Sequence, residues 1–213
     1  MKLAIPGWDI PTLAVAGSDE RIAVRRVFCM GLNYHDHKKE MGITTDVPPF
    51  VFTKATPHAV GCAADRVTDI KYPTKTTNYQ WECELTAVIG KTCANVSAAK
   101  ANDYVWGYAV GLDMTRRDLQ RALGDEKKPW EIGKSFDRSA PIGPIHRVAQ
   151  VGHFAAGAIT LKVNGQVRQD ANLNQMIWNV AEQIAQLSQA FELMPGDLIF
   201  SGTPENVGPV VPG

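Results

Sequence analysis

Apolar residues in this chain fall into short runs separated by polar or Gly- and Pro-bearing stretches, a pattern of many short strands rather than long helices. Residues 1–26 read as a lead-in with two strand fragments, Thr12 to Val15 and Ile22 to Val24, before the stronger run Val27 to Leu32. Further strands are predicted after Pro48-Pro49, within Tyr79 to Leu85, over Val105 to Leu112, over Ala158 to Val163 and from Leu198. Asn164-Gly165 supplies a hairpin turn after the fourth of these, because both residues accept the positive φ that a tight hairpin requires. Helical periodicity is clearest from Leu173 to Phe191, where Met176, Ile177, Val180, Ile184, Leu187 and Phe191 recur at steps of three and four. Two shorter helices are expected, one capped by Asn33 through Tyr34 to Met41 and ended by Gly42, the other capped by Ser97 through Tyr104. From Thr115 to Asp137 the chain is polar without sustained periodicity, which predicts a long mobile loop of the kind that borders binding sites. The expected class is mainly β with α: short helices, one longer amphipathic helix and a first half that is mostly β.

With 213 residues, 45% of them hydrophobic and 21% charged, the chain is sized for a single domain over 1–213. Lys plus Arg balance Asp plus Glu at 22 each, so no net field draws nucleic acid or an anionic membrane, and a small-molecule ligand is expected. No apolar window approaches a membrane span and the N-terminal residues lack a continuous apolar core for a leader, which predicts a cytoplasmic protein. Cys29, Cys62, Cys83 and Cys93 form no C-x-x-C pair and mostly sit in apolar runs, as reduced buried thiols do. Phosphate-binding loops, dinucleotide fingerprints, nucleophile elbows and H-E-x-x-H zinc motifs are absent from the sequence.

Candidate chemistry concentrates in Tyr79-Gln80-Trp81-Glu82-Cys83-Glu84-Leu85. Alternation along a strand gives Glu82 and Glu84 one face and Trp81, Cys83 and Leu85 the other, and Asp113 ends another apolar run. Three carboxylates without a neighbouring Cys or His pair suit a hard divalent ion such as Mg²⁺ or Mn²⁺. Alternating Glu on a solvated strand face is the competing reading. His37 and Glu40 lie three apart on one helical face, as a catalytic pair or a surface ion pair would. Arg117 and Lys134 taken singly read as surface charges, and Thr203 before Pro204 as turn chemistry. Trp130 and Trp178 suit packing, with Trp130 also able to cover a ligand; His58, His146 and His153 read as structural or solvated.

Several segments together resemble the fumarylacetoacetate hydrolase family: Gly31-Leu32-Asn33-Tyr34 leading to His37 and Glu40, Phe52-Thr53-Lys54, Glu82-Cys83-Glu84, Asp113, Gly133 to Asp137, Val163-Asn164-Gly165 with Arg168-Gln169, and Pro195-Gly196-Asp197 before Gly202-Thr203-Pro204. They occur in the family's order and cover nearly the whole chain. Gly107 to Gln120 with Pro129 to Lys134 resembles the acylpyruvase-type branch in particular. The resemblance implies an antiparallel, roll-like β fold, mixed with short helices, that carries Mg²⁺ or Mn²⁺, commonly as a homodimer. Carried over by position, Glu82, Glu84 and Asp113 match the metal ligands, His37 and Glu40 the water-activating pair, and Lys134 the lysine that polarises the substrate. Arg117, Gln120 and Thr203 match positions beside the ketoacid carboxylate, with Lys54 as a further substrate-binding candidate.

The implied activity is metal-dependent cleavage of a C–C bond in a 2,4-diketo acid, with fumarylpyruvate giving fumarate and pyruvate in aromatic-compound catabolism as the specific expectation. Decarboxylation or isomerisation of oxaloacetate or another diketo acid is the alternative within the family, and a catalytically silent metal- or ligand-binding protein the alternative outside it. Two departures stand out: Glu205-Asn206-Val207-Gly208 follows Gly202-Thr203-Pro204 where many relatives carry a smaller residue and Gly, and the sequence ends at Gly213 where relatives usually continue through further strands. A C-terminal end truncated relative to the family is expected from the latter.

Overall fold

The computed structural model describes residues 3–212; Met1 and Lys2 of the lead-in and Gly213 lie outside the described residues. A central mixed sheet runs β4 (Phe50–Lys54), β3 (Arg26–Gly31), β14 (Asp197–Phe200), β7 (Cys83–Ile89), β8 (Val105–Leu112), β10 (Ala140–Ile142) and β5 (Ala59–Gly61), with β11 (His146–Arg147) added on β8. The β3–β14 and β10–β5 pairs are parallel and the other pairs antiparallel, so the sheet is mixed rather than purely antiparallel. The lead-in fragments form a hairpin, β1 (Thr12–Ala14) with β2 (Arg21–Ala23). The Asn-Gly turn joins β12 (Ala158–Val163) to β13 (Gln166–Asn172), with Asn164 at φ 52° and Gly165 at φ 78° as that turn demands.

Both faces of the sheet are covered, and strand parity decides which residue goes where. Phe28 and Met30 of β3, Leu85, Ala87 and Ile89 of β7 and Ile199 of β14 pack with Val180, Ile184 and Leu187 of α6 (Val180–Ala190). Val27 and Cys29, Val88, and Leu198 and Phe200 face the other way, toward Leu13, Val24, Ala140 and Ile145. Cys29, Cys83 and Cys93 are buried free thiols and Cys62 is half-buried. No helix among the described residues is long and apolar enough to cross a membrane.

Four expectations are corrected. The run 79–85 is not one strand with a packed and an open face: β6 (Tyr79–Trp81) joins a separate sheet with β9 (Thr115–Arg116) and β15 (Gly208–Pro209), and β7 starts only after Glu82. Residues 79 and 81 to 85 are all buried. The stretch 115–137 is no long loop, since it holds α3 (Arg117–Asp125) and α4 (Glu131–Lys134). Its fully buried helical positions are Arg117, Gly133 and Lys134, and the helical spacing of Leu119, Ala122 and Leu123 is confined to one nine-residue helix, too short to stand out in a polar segment. The helix expected over 173–191 starts at Val180, because Asn172 and Asn179 each build a capping box that opens a new helical segment, the first being the single turn Leu173–Gln175. Finally, α1 (His35–Glu40) starts after Tyr34 without a side-chain cap, and α2 (Ala98–Ala101) follows Ser97 without one. Asn33 is instead a clamp: its Oδ1 accepts from Trp178 N–H at 2.7 Å, and its amide donates to the carbonyls of Trp178 and Ser201. The short α5 (Val148–Val151) completes the elements.

Candidate active site

Glu84 lies on β7, Glu82 at the break just before it, and Asp113 just past the end of β8, the neighbouring strand. Pairing of Glu84 with Gly111, and Asp113 N–H donating to the Glu82 carbonyl at 2.8 Å, bring the three acids to one end of the sheet. They are 4%, 1% and 1% exposed for Glu82, Glu84 and Asp113 respectively. Each offers an oxygen within 4.8 Å of those of the other two, a spread that fits oxygens around one divalent ion, whose metal–oxygen distances run from ~2.0 Å for Mg²⁺ upward.

Three buried cations face these acids. Lys134 Nζ bridges Glu82 Oε2 at 2.7 Å and Asp113 Oδ2 at 2.8 Å. Lys54 Nζ sits 2.8 Å from Asp113 Oδ1 and donates to the carbonyls of Met114 and Lys134. Arg117 Nη2 donates to Glu82 Oε1, Nε to Gln80 Oε1 at 2.8 Å and Nη1 to Gln120 Oε1 at 2.5 Å. The Lys54 contact is an ion pair without hydrogen-bond alignment, so Asp113 Oδ1 is buried with no hydrogen-bond partner.

The charges divide unevenly. Burial raises the Glu82 carboxyl, but Lys134 and Arg117 outweigh it and hold the group below the ordinary carboxylate range. Glu84 has no such partner: burial, then repulsion from Asp113 and Glu82, pushes its carboxyl well above that range, against the opposing pull of Lys134 and of the Gly202 amide. Burial lowers Lys134, yet the charges of Asp113 and Glu82 raise it further. Lys134, Lys54 and Arg117 match the three acids in number but contact only Glu82 and Asp113, so ionising Glu84 as well calls for a positive charge placed beside it. An all-oxygen donor set, an orphaned carboxylate oxygen and a carboxyl that resists ionisation together fit a hard divalent cation.

The loop after β14 closes this end of the site. Gly202 has φ 93°, and a Cβ there would stand 2.6 Å from the Asn33 Cβ, so only glycine allows the approach. Its N–H donates to Glu84 Oε2 at 2.6 Å. Thr203 is fixed by donating to the Cys83 carbonyl at 3.0 Å and accepting from Gln169 Nε2 at 2.9 Å, while Gln169 Oε1 accepts the Cys83 N–H.

On the opposite side, Leu32 turns the chain out of β3 into α1 at φ 61°, a conformation costly for a branched residue. That turn aims His37 at the acids: His37, Glu82, Arg117, Gln120, Lys134 and Thr203 line one cavity of about 40 Å³. His37 Nδ1 lies 3.0 Å from Glu40 Oε2, and Glu40 Oε1 accepts from Asn206 N–H at 3.1 Å. With Nδ1–H directed at the carboxylate, Nε2 is the nitrogen left free to accept a proton.

Of the ten residues singled out in the sequence, six line this cavity, and Glu84, Asp113, Lys54 and Glu40 stand directly behind members of that lining. Lys54 does not line it; its ammonium is held by Asp113 and two carbonyls. Sequence reasoning misses Gln80, Gln169, Asn206 and Phe52 as contributors. Gln169 is visible only as a member of a motif; Gln80 and Asn206 act through single hydrogen bonds that pairing brings about.

A family model described as fumarylacetoacetate (FAA) hydrolase C-terminal matches residues 26–212. A fumarylpyruvate hydrolase from Ralstonia sp is 45% identical over 164 residues, 77% of this chain and 83% of the relative. The mitochondrial oxaloacetate tautomerase of Bos taurus is 37% identical over 186 residues, 87% of this chain and 82% of that protein. In structure, the chain superposes with TM-score 0.97 and 48% identity on fumarylpyruvate hydrolase from Pseudomonas aeruginosa, crystallised with Mn²⁺ and pyruvate, over 99% of this chain and 91% of the other. With a match across most of its length and a buried three-carboxylate site, the chain belongs to the fumarylacetoacetate hydrolase family.

Proposed function

We propose that this protein is a metal-dependent hydrolase that cleaves the C–C bond of an acylpyruvate, with fumarylpyruvate plus water giving fumarate and pyruvate as the specific reaction. The observation that carries the reading is the grouping of Glu82, Glu84 and Asp113, Lys134 and the His37–Glu40 pair around one cavity. Similarity to the Ralstonia and Pseudomonas fumarylpyruvate hydrolases, the latter holding Mn²⁺ and pyruvate, supports it.

Glu82, Glu84 and Asp113 would hold Mg²⁺ or Mn²⁺, which when bound supplies Lewis acidity for the ketoacid end of the substrate. His37 Nε2 takes a proton from water, and the water oxygen bonds to the distal carbonyl carbon. Glu40 fixes the imidazole tautomer and stabilises the imidazolium that forms. The C–C bond then breaks, its electron pair passing to the pyruvate fragment as an enolate, which takes up a proton to give pyruvate while the acyl carbon leaves as a carboxylic acid. Lys134, already beside two of the carboxylates, contributes a fixed positive charge to the developing enolate. Arg117 and Gln120 border the substrate carboxylate next to Thr203, and Lys54 acts one step back by fixing Asp113.

An alternative reading is favoured by the bovine relative, an oxaloacetate tautomerase. Enolisation of oxaloacetate moves a C3 proton to the C2 carbonyl oxygen, so it needs the metal site and a base to carry the proton but no attacking water. Purified protein with Mg²⁺ or Mn²⁺ is expected to consume the diketo-enol absorbance of fumarylpyruvate and release pyruvate, with activity lost in EDTA. His37→Ala is expected to lower that rate about 10²- to 10⁴-fold, as removal of a general base does, while sparing oxaloacetate decarboxylation, in which CO₂ leaves without a base. Activity unaffected by EDTA, or full hydrolysis by His37→Ala, would contradict the assignment.

A further inference from the structure

Beyond the charged floor, the cavity has a wall of different character. Phe50 and Phe52 alternate on β4, an edge strand paired only to β3, and so project to the same side. Trp130, from the connection between α3 and α4, meets both: its ring centroid is 5.8 Å from Phe50, edge-on at 83°, and 5.1 Å from Phe52 at 58°. Phe50 pairs with Gly31 across the ladder, and a Cβ on Gly31 would stand 2.5 Å from the Phe50 ring, so the missing side chain is what lets that ring lie over β3. Phe52 also meets the floor, with Lys134 Nζ 5.2 Å from its ring centroid.

The three rings continue outward into a groove of about 480 Å³ that also touches Pro129 and Phe191. Among the described residues, Lys134 is the one Lys or Arg side chain lining that groove, and Glu131 its one acid. Phe50 is 39% exposed, a large apolar ring left open to water next to the catalytic groups. Aromatic faces arranged this way favour a flat π-system over a flexible or tetrahedral group of equal size, because offset and edge contacts add to simple burial.

We propose that Phe50, Phe52 and Trp130 form the acyl subsite, which selects acylpyruvates whose acyl group is planar and conjugated, an enoyl or aryl group, over those with a small saturated one. The inference rests on the diketo-acid reading above and deepens it by naming the part of the substrate that the aromatic wall reads. The α-keto acid end, common to all acylpyruvates, lies with Lys134, Arg117 and the carboxylates; the acyl end reaches the rings.

Binding to the Mn²⁺-loaded protein tests this by calorimetry, every protein compared also carrying His37→Ala so that neither ligand is hydrolysed during the titration. Two ligands that share the diketo acid and differ only in the acyl group, 2,4-dioxo-4-phenylbutanoate and 2,4-dioxopentanoate, are compared with position 130 wild type, Trp130→Phe and Trp130→Ala. Wild type is expected to prefer the phenyl ligand at least about tenfold, the yield of one or two aromatic contacts. Trp130→Phe should keep most of that preference and Trp130→Ala should lose it, with the affinity for the methyl ligand changed less than about threefold. A wild-type preference below twofold, or one that Trp130→Ala leaves intact, would overturn the acyl subsite alone. Failure of both ligands to bind wild type while Mn²⁺ does bind would overturn the diketo-acid reading and the subsite with it.

Discussion

The segments 115–137 and 173–191 are similar in length and both pack beside the central sheet, yet their sequences mislead in opposite directions. Residues 115–137 have the polarity of a loop and contain two helices, α3 and α4. Residues 173–191 have the periodicity of one long helix and contain a turn, an extended stretch and the shorter α6. What separates them is the kind of residue each buries. In 173–191 Met176, Val180, Ile184 and Leu187 of the stripe are buried, while Ile177 is half-buried and Phe191 exposed, so periodicity locates the middle of the packed face but not its ends. It does not locate the helix start, which Asn179 and Glu182 set through reciprocal side-chain and backbone hydrogen bonds. In 115–137 the buried groups include Phe136 and Thr115 but also two charged ones, Arg117 and Lys134, whose partners Glu82 and Asp113 come from β-strand ends more than a dozen residues away in sequence. Hydropathy cannot register the charged part of that face, because a buried Arg or Lys reads as a surface residue until tertiary contact supplies its partner.

The comparison can be broken most forcefully at Lys134. Lys134→Leu puts an apolar, helix-compatible side chain in its place but leaves three buried carboxyls with only Arg117 and Lys54 beside them, and it is expected to cost about 3–5 kcal/mol of stability in urea unfolding of the metal-free protein. Part of that loss should return on adding Mn²⁺, which replaces the missing positive charge. A Lys134→Leu protein as stable as wild type would mean that the segment is held by something other than its buried charges. At α6 the matching change is milder. Asn179→Ala removes the cap but leaves the apolar stripe in place, and thermal unfolding should register a loss of about 1 kcal/mol. A loss several times larger would show that Asn179 holds more than a helix end.

The same distinction explains how much of the site is legible in the sequence. β8 is legible as a nearly continuous apolar run that delivers Asp113 just past its end, whereas β7 is legible only in part, since the run read as one strand over 79–85 breaks at Glu82 and continues to Ile89. The identities of the site residues come from the order of motifs shared with a family, not from periodicity, and pairing brings them to one place. The roles of Gln80, Gln169 and Asn206 are not legible. Gln80 and Gln169 are ordinary polar residues until the fold supplies their partners, Arg117 for Gln80 and Cys83 and Thr203 for Gln169, and Asn206 acts on Glu40 through a backbone N–H that no side chain announces. Asn33 reads as a helix cap for the same reason, since its clamp on Trp178 and Ser201 spans well over a hundred residues of sequence.

The central claim is that Glu82, Glu84 and Asp113 form a divalent-cation site completed by the ion rather than by the surrounding lysines. Its most direct test is calorimetric titration of Mn²⁺ into EDTA-stripped wild-type protein and into Glu84→Gln, which keeps the shape of the side chain while removing the charge that lacks a cation of its own. Saturable binding by wild type at one ion per chain, weakened at least about 100-fold in a Glu84→Gln protein that still folds, is the predicted result, since loss of a directly coordinating group should exceed the 10–100-fold typical of outer partners. No binding by wild type, or equal binding by the two proteins, would contradict it.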